Sequence, residues 1–235
     1  IDLTSQTLPQ YIVIEGPIGV GKTTLVKRLA ELFSYQTLLE AAEHNPFLEK
    51  FYENQQQNAL ATQLSFLFQR ARQLQQMHQH DLFEPLHVAD FMIEKDRLFA
   101  EAILTADEFK LYDMVYQQLA IEAPKPDLVV YLQAPTHVLM QRIQQRGIKA
   151  EQHIHASYVE RINEAYSRFF HYYDDAPLLI INAAQMDAIH DEHTFRRLIS
   201  YMLSIQNGRH YFNPGVTSET LLWKTWRLAP YNNTN

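Results

Sequence analysis

The chain has 235 residues, and 46% of them are hydrophobic, which suits one large domain with a sizeable core. The formal net charge of -7 argues against a nucleic-acid or anionic-membrane partner. The chain has no cysteine, which excludes disulfides and thiolate metal sites and fits a cytoplasmic location. No run of 18 apolar residues is present, so the sequence predicts no membrane span.

Apolar runs alternate along the chain with stretches of helical spacing. Strands are predicted over residues 11–14, 36–39, 86–89, 128–132 and 178–181. Helices are predicted over residues 22–33, 46–53, 56–79, 93–104, 106–122, 135–146, 154–172 and 191–205. The run 128–132 is continuously apolar, which is typical of a parallel strand covered on both faces. Together these elements predict an α/β fold with a five-stranded, doubly wound parallel sheet flanked by helices.

The last thirty residues differ from the rest of the chain. Residues 206–235 contain Asn207-Gly208 and Pro214-Gly215, which are turn signals. We therefore predict one domain over residues 1–205 and an irregular C-terminal tail over 206–235. Trp223 and Trp226 are expected to pack the tail against the body.

A phosphate-binding loop follows the first predicted strand. Its pattern is G-x-x-x-x-G-K-T, and it precedes a helix, which is the context that this motif requires. The glycines let successive backbone N–H groups point into one concavity, Lys22 can reach the β- and γ-phosphates, and the Thr23 hydroxyl can ligate Mg²⁺. The residues predicted to bind ATP are Gly16, Pro17, Ile18, Gly19, Val20, Gly21, Lys22, Thr23 and Thr24.

The loop alone leaves several classes of nucleotide-binding protein open. A regulatory GTPase would need an N-K-x-D element, and the sequence has none. A motor ATPase would usually end a strand in paired acidic residues, whereas the third predicted strand ends in the single Asp90. A small-molecule kinase needs an acceptor site, a base and an arginine-bearing lid. Glu40 follows the second predicted strand, where open α/β sheets place ligands, and it is either the base or a solvated loop acid.

Further motifs occur in a fixed order along the chain. They are EGPIGVGKTT at residues 15–24, Glu40 with NPFLEKFY at 45–52, Ala89-Asp90 with Phe99-Ala100-Glu101, Pro124-Lys125-Pro126, and RIQQRG at 142–147. In this order they resemble the deoxynucleoside kinase family over about residues 10–205, most closely its bacterial deoxyguanosine/deoxyadenosine kinase branch. The resemblance implies a P-loop kinase fold with a short arginine-bearing lid.

The resemblance also implies roles for residues outside the loop. Glu40 would be the general base at the deoxyribose 5′-hydroxyl, and Arg142 and Arg146 would be catalytic lid arginines. Gln63 and Arg70, seven residues apart on one helical face, would read the base edge. The implied substrate-binding residues are Glu40, Tyr52, Gln63, Arg70, Asp90, Asp96, Phe99 and Glu151, with Asp96 partnering the arginine, and Thr23 and Asp90 would hold the metal.

The implied function is ATP-dependent phosphorylation of a deoxynucleoside, with purines preferred, at its 5′-hydroxyl in nucleotide salvage. ATP and Mg²⁺ are the implied cofactors, and the resemblance implies a homodimer formed through the helices at 56–79 and 106–122. No nucleic-acid or membrane partner is predicted.

Two departures from the family pattern keep alternatives open. Many members follow the acid after the third strand with Arg-Ser, and that arginine helps to hold the 5′-hydroxyl and the transferring phosphate. Here Phe91-Met92 follow Asp90, and Ile148 stands where a further lid arginine often occurs. A non-catalytic nucleotide-binding subunit on the same fold is therefore the alternative. A nucleoside monophosphate kinase is a third option, but the sequence lacks a dedicated cation set for an acceptor phosphate.

Overall fold

Parallel strands form one sheet at the centre of the molecule. The computed structural model describes residues 8–79, 86–119, 122–185 and 191–215. Within these ranges the strands are β1 (Tyr11–Glu15), β2 (Gln36–Leu38), β3 (His87–Ala89), β4 (Leu128–Gln133), β5 (Leu178–Asn182) and β6 (Arg209–Phe212). Their order across the sheet is β2-β3-β1-β4-β5-β6, and all neighbouring pairs are parallel. The predicted doubly wound α/β architecture is confirmed.

Helices flank the sheet and begin within two residues of their predicted starts. They are α1 (Lys22–Phe33), α2 (Leu48–Glu53), α3 (Gln55–Gln79), α4 (Glu94–Ile103), α5 (Ala106–Leu119), α6 (Thr136–Arg146), α7 (Ala156–Tyr172) and α8 (Glu192–Ser204). Short 3₁₀ helices cover Ala42–His44 and Lys149–His153. Among the described helices, none is long and apolar enough to cross a membrane.

The central strands are buried on both faces. All five residues of β1 and the first five of β4 are buried, which agrees with their continuous apolar sequences. Burying a Val, Leu or Ile side chain stabilises the fold by about 1.5–3 kcal/mol relative to exposure. The exception to the apolar pattern is Glu15, the last residue of β1, whose carboxylate is fully buried.

The number of strands predicted from the sequence is wrong by one. Residues 206–215 were expected to be irregular, but Arg209–Phe212 pair with β5 as the edge strand β6. The segment is short, and only Phe212 of its four residues is buried, so it lacks the continuous apolar run that marks the inner strands. Trp223 and Trp226 lie outside the described residues.

A second apolar cluster joins three helices beside the sheet. Leu67 and Leu74 of α3 pack with Ala100 of α4 and Tyr112 of α5, and Phe91 lies fully buried among them. This cluster fixes the long helix α3 against the loop that follows β3. Side chains of α3 are also held against the segment that follows β2, where Gln69 and Gln73 donate to the carbonyl oxygens of Ala41 and Leu39.

Candidate active site

The phosphate loop occupies residues 16–21, between β1 and α1. Gly19 has φ +80°, and a Cβ there would lie 2.9 Å from the Leu139 carbonyl oxygen, so only glycine fits. Gly21 has φ +105° and precedes α1, whose first turn carries neither a side-chain cap nor an acidic residue. The first backbone N–H groups of α1 are consequently available to an anion, as a nucleotide phosphate requires.

Lys22 opens α1 and turns back onto the loop. Its Nζ donates to the carbonyl oxygens of Gly16 at 2.7 Å and Pro17 at 3.3 Å. Burial, followed by the positive charge of Lys95, lowers the pKa of Lys22 to about 8. The loop lysine is therefore partly neutral in mildly alkaline solution, before any phosphate is bound.

ATP binding is expected to take up close to one proton at about pH 9, because phosphate oxygens restore the ammonium form of Lys22. Calorimetric titrations in two buffers of different ionisation enthalpy measure this uptake directly. Affinity for ATP should fall as the pH rises above the Lys22 pKa of about 8. Lys22→Met should abolish the buffer dependence, and a wild-type enthalpy that is the same in both buffers would contradict the prediction.

The carboxylate of Asp90, which follows β3, forms hydrogen bonds with the segments that follow β1 and β2. Asp90 accepts a hydrogen bond from the Thr23 hydroxyl at 2.8 Å through Oδ2 and from the backbone N–H of Glu40 at 2.7 Å through Oδ1. A hydroxyl and a carboxylate side by side are the hard oxygen donors that suit Mg²⁺, which usually keeps several waters and phosphate oxygens as its other ligands. The predicted pair Thr23 and Asp90 thus fits a magnesium ion.

Glu40 lies at the carboxyl end of β2 with both oxygens in ion pairs. Arg70 contacts Oε1, and Lys95 Nζ lies 2.7 Å from Oε2. Burial acts to raise the pKa of Glu40, but the charges of Arg70 and Lys95 outweigh it and lower the pKa to about 2. The carboxylate is therefore ionised throughout the neutral range.

Arg70 is shared between two carboxylates. Its Nη1 lies 2.6 Å from Asp96 Oδ1, and Asp96 is completely buried on the first turn of α4. Burial raises the pKa of Asp96 to about 6, although the charge of Arg70 opposes that shift. Arg72, two residues further along α3, is exposed.

A cavity of about 460 Å³ lies between the phosphate loop, α3 and the 3₁₀ helix at Lys149–His153. Its volume falls within the usual range for small-molecule sites, about 300–1,000 Å³. The buried side chains of Tyr52 and Gln63 line it together with Phe99, whose ring contacts Tyr166 in a T-shaped arrangement with the ring centres 5.7 Å apart. Asp96 does not line the cavity; it contacts Arg70, which does.

The two predicted lid arginines occupy different environments. Arg146 lines the cavity and pairs with Glu151, with Nη2 2.7 Å from each carboxylate oxygen. Arg142 instead donates to the carbonyl oxygen of Ala183 at 2.8 Å, beyond the end of β5. Gly147 is the C-cap of α6 and adopts the left-handed conformation.

Two buried residues were missed by the sequence analysis. Lys95 lines the cavity and is paired with Glu40, while Glu15 accepts hydrogen bonds from the backbone of Gly16 and Met92 and from the Tyr166 hydroxyl at 3.1, 2.8 and 2.8 Å. A charged residue ending an otherwise apolar strand was a usable signal for Glu15. Lys95 gave none, because a lysine in a helical first turn usually faces solvent.

The fold and the site together define the class of P-loop phosphotransferases, with a cavity beside the phosphate loop. A family model described as deoxynucleoside kinase matches residues 12–205. A deoxyguanosine kinase from Bacillus subtilis (strain 168) is 32% identical over 198 residues, which cover 82% of this chain and 95% of that protein. A deoxyadenosine/deoxycytidine kinase from the same organism is 28% identical over 204 residues, covering 83% and 92%.

A solved structure of deoxyadenosine kinase from M. mycoides with bound dATP has a TM-score of 0.69 and 25% identity, covering 80% of this chain and 99% of that chain. The chain belongs to the deoxynucleoside kinase family. It is thus an enzyme that phosphorylates a deoxynucleoside. Its membership of this family argues against the alternative of a non-catalytic nucleotide-binding subunit.

Proposed function

We propose that the enzyme transfers the γ-phosphoryl group of ATP to the 5′-hydroxyl of a purine deoxynucleoside, as a cytoplasmic enzyme of nucleotide salvage. The observation that carries this proposal is the position of Glu40. Its ionised carboxylate lies in one cavity with the phosphate loop and with Gln63 and Arg70, the candidate readers of the base. A deoxynucleoside bound with its base toward α3 would present its 5′-hydroxyl to Glu40.

The acceptor would be held by groups at both ends of the cavity. Gln63 and Arg70 offer amide and guanidinium donors to a purine edge, and Phe99 offers a ring face or edge to the base. Tyr52 lies in reach of the sugar, and Glu151 is held beside it by Arg146. A purine fills and stacks in such a pocket better than a pyrimidine does.

In the reaction, the bond from the 5′-oxygen to the γ-phosphorus forms as the bond to the bridging oxygen breaks and ADP leaves. The proton of the 5′-hydroxyl passes to Glu40. Lys22 would exchange its hydrogen bonds to the loop carbonyl oxygens for contacts with the phosphates. Arg146 would neutralise charge on the transferring group, and Arg142 could do so as well if its hydrogen bond to Ala183 breaks. Mg²⁺, held through Thr23 and Asp90, would supply further neutralisation of the phosphate charge.

The decisive test is a substrate panel. ADP release from Mg·ATP is measured with each of the four deoxynucleosides and expressed as kcat/KM ratios. The proposal requires deoxyguanosine and deoxyadenosine to exceed both pyrimidine deoxynucleosides. A pyrimidine with the highest kcat/KM would overturn the purine preference.

We also predict a homodimer formed through α3 and α5. Among the apolar side chains of these two helices, Leu67 is fully buried within the chain, and Leu64 and Val115 are partly covered. Phe68, Leu111 and Met114 remain 51%, 49% and 68% exposed. A twofold pairing of this face would bury them. Light scattering at micromolar concentration should give twice the monomer mass.

Two variants test whether the dimer depends on this face in particular or on any exposed apolar side chain. Phe68→Gln combined with Met114→Gln should produce monomers, whereas Tyr172→Gln, at a still more exposed position on α7, should leave the dimer intact. A wild-type monomer would reject the prediction.

A further inference from the structure

Lys95 places a buried ammonium group beside the candidate base. It lies on the first turn of α4 and is only 5% exposed, although it lines the same cavity as Lys22, Thr23 and Glu40. Its Nζ donates to Glu40 Oε2 at 2.7 Å and lies 5.6 Å from the centre of the Phe99 ring. The cation therefore lies next to Glu40, the proposed base, in a cavity that the phosphate loop also lines.

Lys95 is a second cation on Glu40, beside Arg70. Arg70 already contacts Glu40 and is itself anchored by Asp96. Burying a second cation costs several kcal/mol unless its donors are used. Within the described part of the chain, Nζ makes one hydrogen bond, to Glu40, and an ammonium has three N–H donors, so donors remain for a ligand in the cavity.

Lys95 stays charged despite its burial. Burial acts to lower its pKa, but the carboxylates of Glu40 and Glu15 outweigh that effect and raise it. Its charge in turn contributes to the lowered pKa of Lys22 across the cavity. Two ammonium groups thus line a common cavity, and an anion between them would relieve the repulsion that lowers the pKa of Lys22.

The position directly after Asp90 cannot supply this cation. Residue 91 is phenylalanine, is completely buried in the apolar cluster of α3, α4 and α5, and does not line the cavity. Lys95 reaches the cavity from one helical turn further along the chain. The site thereby has a positive group beside Glu40 without an arginine next to Asp90.

We propose that Lys95 is a catalytic residue whose ammonium group binds the 5′-oxygen and the transferring phosphoryl group between Glu40 and the phosphate loop. This inference rests on the phosphoryl transfer proposed above. Lys95 transfers no proton: the hydroxyl proton goes to Glu40, the oxygen–phosphorus bond forms, the bridging bond breaks, and the ammonium stabilises negative charge on the oxygens involved.

The first test compares Lys95→Met and Lys95→Arg. Loss of the charge should lower kcat by about 10²–10³, the range for removing one preorganised donor, while the ATP dissociation constant measured by calorimetry changes less than about threefold. Lys95→Arg should retain at least about tenfold more activity than Lys95→Met, because a cation is kept. Lys125→Met, in the exposed loop before β4, is the matched control and should match wild type.

A double-mutant cycle separates contact with the phosphoryl group from simple positioning of Glu40. If Lys95 acted only by holding Glu40, Lys95→Met would have no further effect in a Glu40→Gln background. We expect a further loss of about tenfold or more in that background, since a donor to the transferring group is removed as well.

Chemical restoration is available because the chain has no cysteine. Lys95→Cys should be as impaired as Lys95→Met, and alkylation with 2-bromoethylamine should restore at least about a tenth of wild-type kcat by rebuilding an ammonium of nearly lysine length. Iodoacetamide adds a neutral group and should not restore it. Intact mass establishes the modification, and thermal unfolding of each variant shows whether it folds.

The outcomes separate the two hypotheses. A wild-type protein that phosphorylates no deoxynucleoside would remove the proposed function. If the wild-type protein is active and Lys95→Met has nearly the same kcat, the role of Lys95 is overturned and the proposed function stands. Equal restoration of Lys95→Cys by the neutral and the charged reagent would have the same consequence.

Discussion

Glu40→Gln is expected to lower kcat by about 10²–10⁴, the range for loss of a general base, with ATP affinity largely kept. The substitution keeps the shape of the side chain and removes the charge that Arg70 and Lys95 surround. ADP release measures kcat, and calorimetry measures ATP binding independently of turnover.

The low pKa of Glu40 decides how it acts. A carboxylate with a pKa of about 2 is a weak base toward an alcohol, so in the proposed transfer Glu40 would orient the hydroxyl and receive the proton late, as a loose phosphoryl transition state allows. Because this pKa lies below the ordinary value of 4.5, the ion pairs stabilise the fold above that ordinary value, and the stabilisation is lost as the pH falls toward 2. The kcat profile should therefore show no loss from Glu40 protonation between about pH 5 and 7.

The control for this prediction is Glu31→Gln, the same chemical change on the exposed side of α1. It should leave kcat and the melting temperature unchanged. Wild-type turnover in Glu40→Gln would remove Glu40 from the mechanism. A fall in ATP affinity as large as the fall in kcat would show instead that Glu40 maintains the structure of the phosphate-binding loop.

The sequence determines most of the fold because its strands carry an unambiguous signal. Runs such as 128–132 are apolar without interruption, and glycines or prolines separate them from helices. The edge strand β6 was missed because an edge strand needs to bury only one face, and Arg209–Phe212 buries only its last side chain. Its pairing with β5 depends on the tertiary position of α8 and not on a local preference.

The sequence predicts those site residues whose positions are fixed by the end of a strand. The phosphate loop, Glu40 and Asp90 each follow a parallel strand, and parallel strands bring their carboxyl ends to one edge. The ion pair of Arg70 with Asp96 was anticipated from the family resemblance and not from spacing, since the two residues lie on different helices. Lys95 was missed because its burial depends on the packing of α3 and α4, which one sequence does not reveal.

Arg70→Met is expected to lower kcat/KM for deoxyguanosine by about 5- to 150-fold relative to the other deoxynucleosides. A guanine O6 is an acceptor and needs a donor such as the Arg70 guanidinium, whereas an adenine N6 is a donor and prefers an acceptor such as the Gln63 carbonyl. A decrease common to all four substrates is also expected, because Arg70 contacts Glu40. The ratio between bases is therefore the measurement that reports base reading.

The same substitution should destabilise the protein by about 3–5 kcal/mol, because it leaves the buried Asp96 without its cation. The pKa of Asp96 is already raised to about 6, and removing Arg70 raises it further. A carboxyl group whose pKa is higher in the folded than in the unfolded state destabilises the fold increasingly as the pH rises from about 4 to its folded pKa. Thermal unfolding of Arg70→Met should therefore show decreasing stability between about pH 5 and 7.

A second substitution separates the effect on stability from the effect on specificity. Adding Asp96→Asn to Arg70→Met removes the unpaired carboxylate, so it should restore much of the melting temperature and abolish the pH dependence while leaving the altered base ratio in place. Arg72→Met, two residues along the same helix and exposed, is the matched control and should change neither quantity. If Arg70→Met lowers kcat/KM equally for all four deoxynucleosides, Arg70 is structural, and the base reader must lie elsewhere on α3.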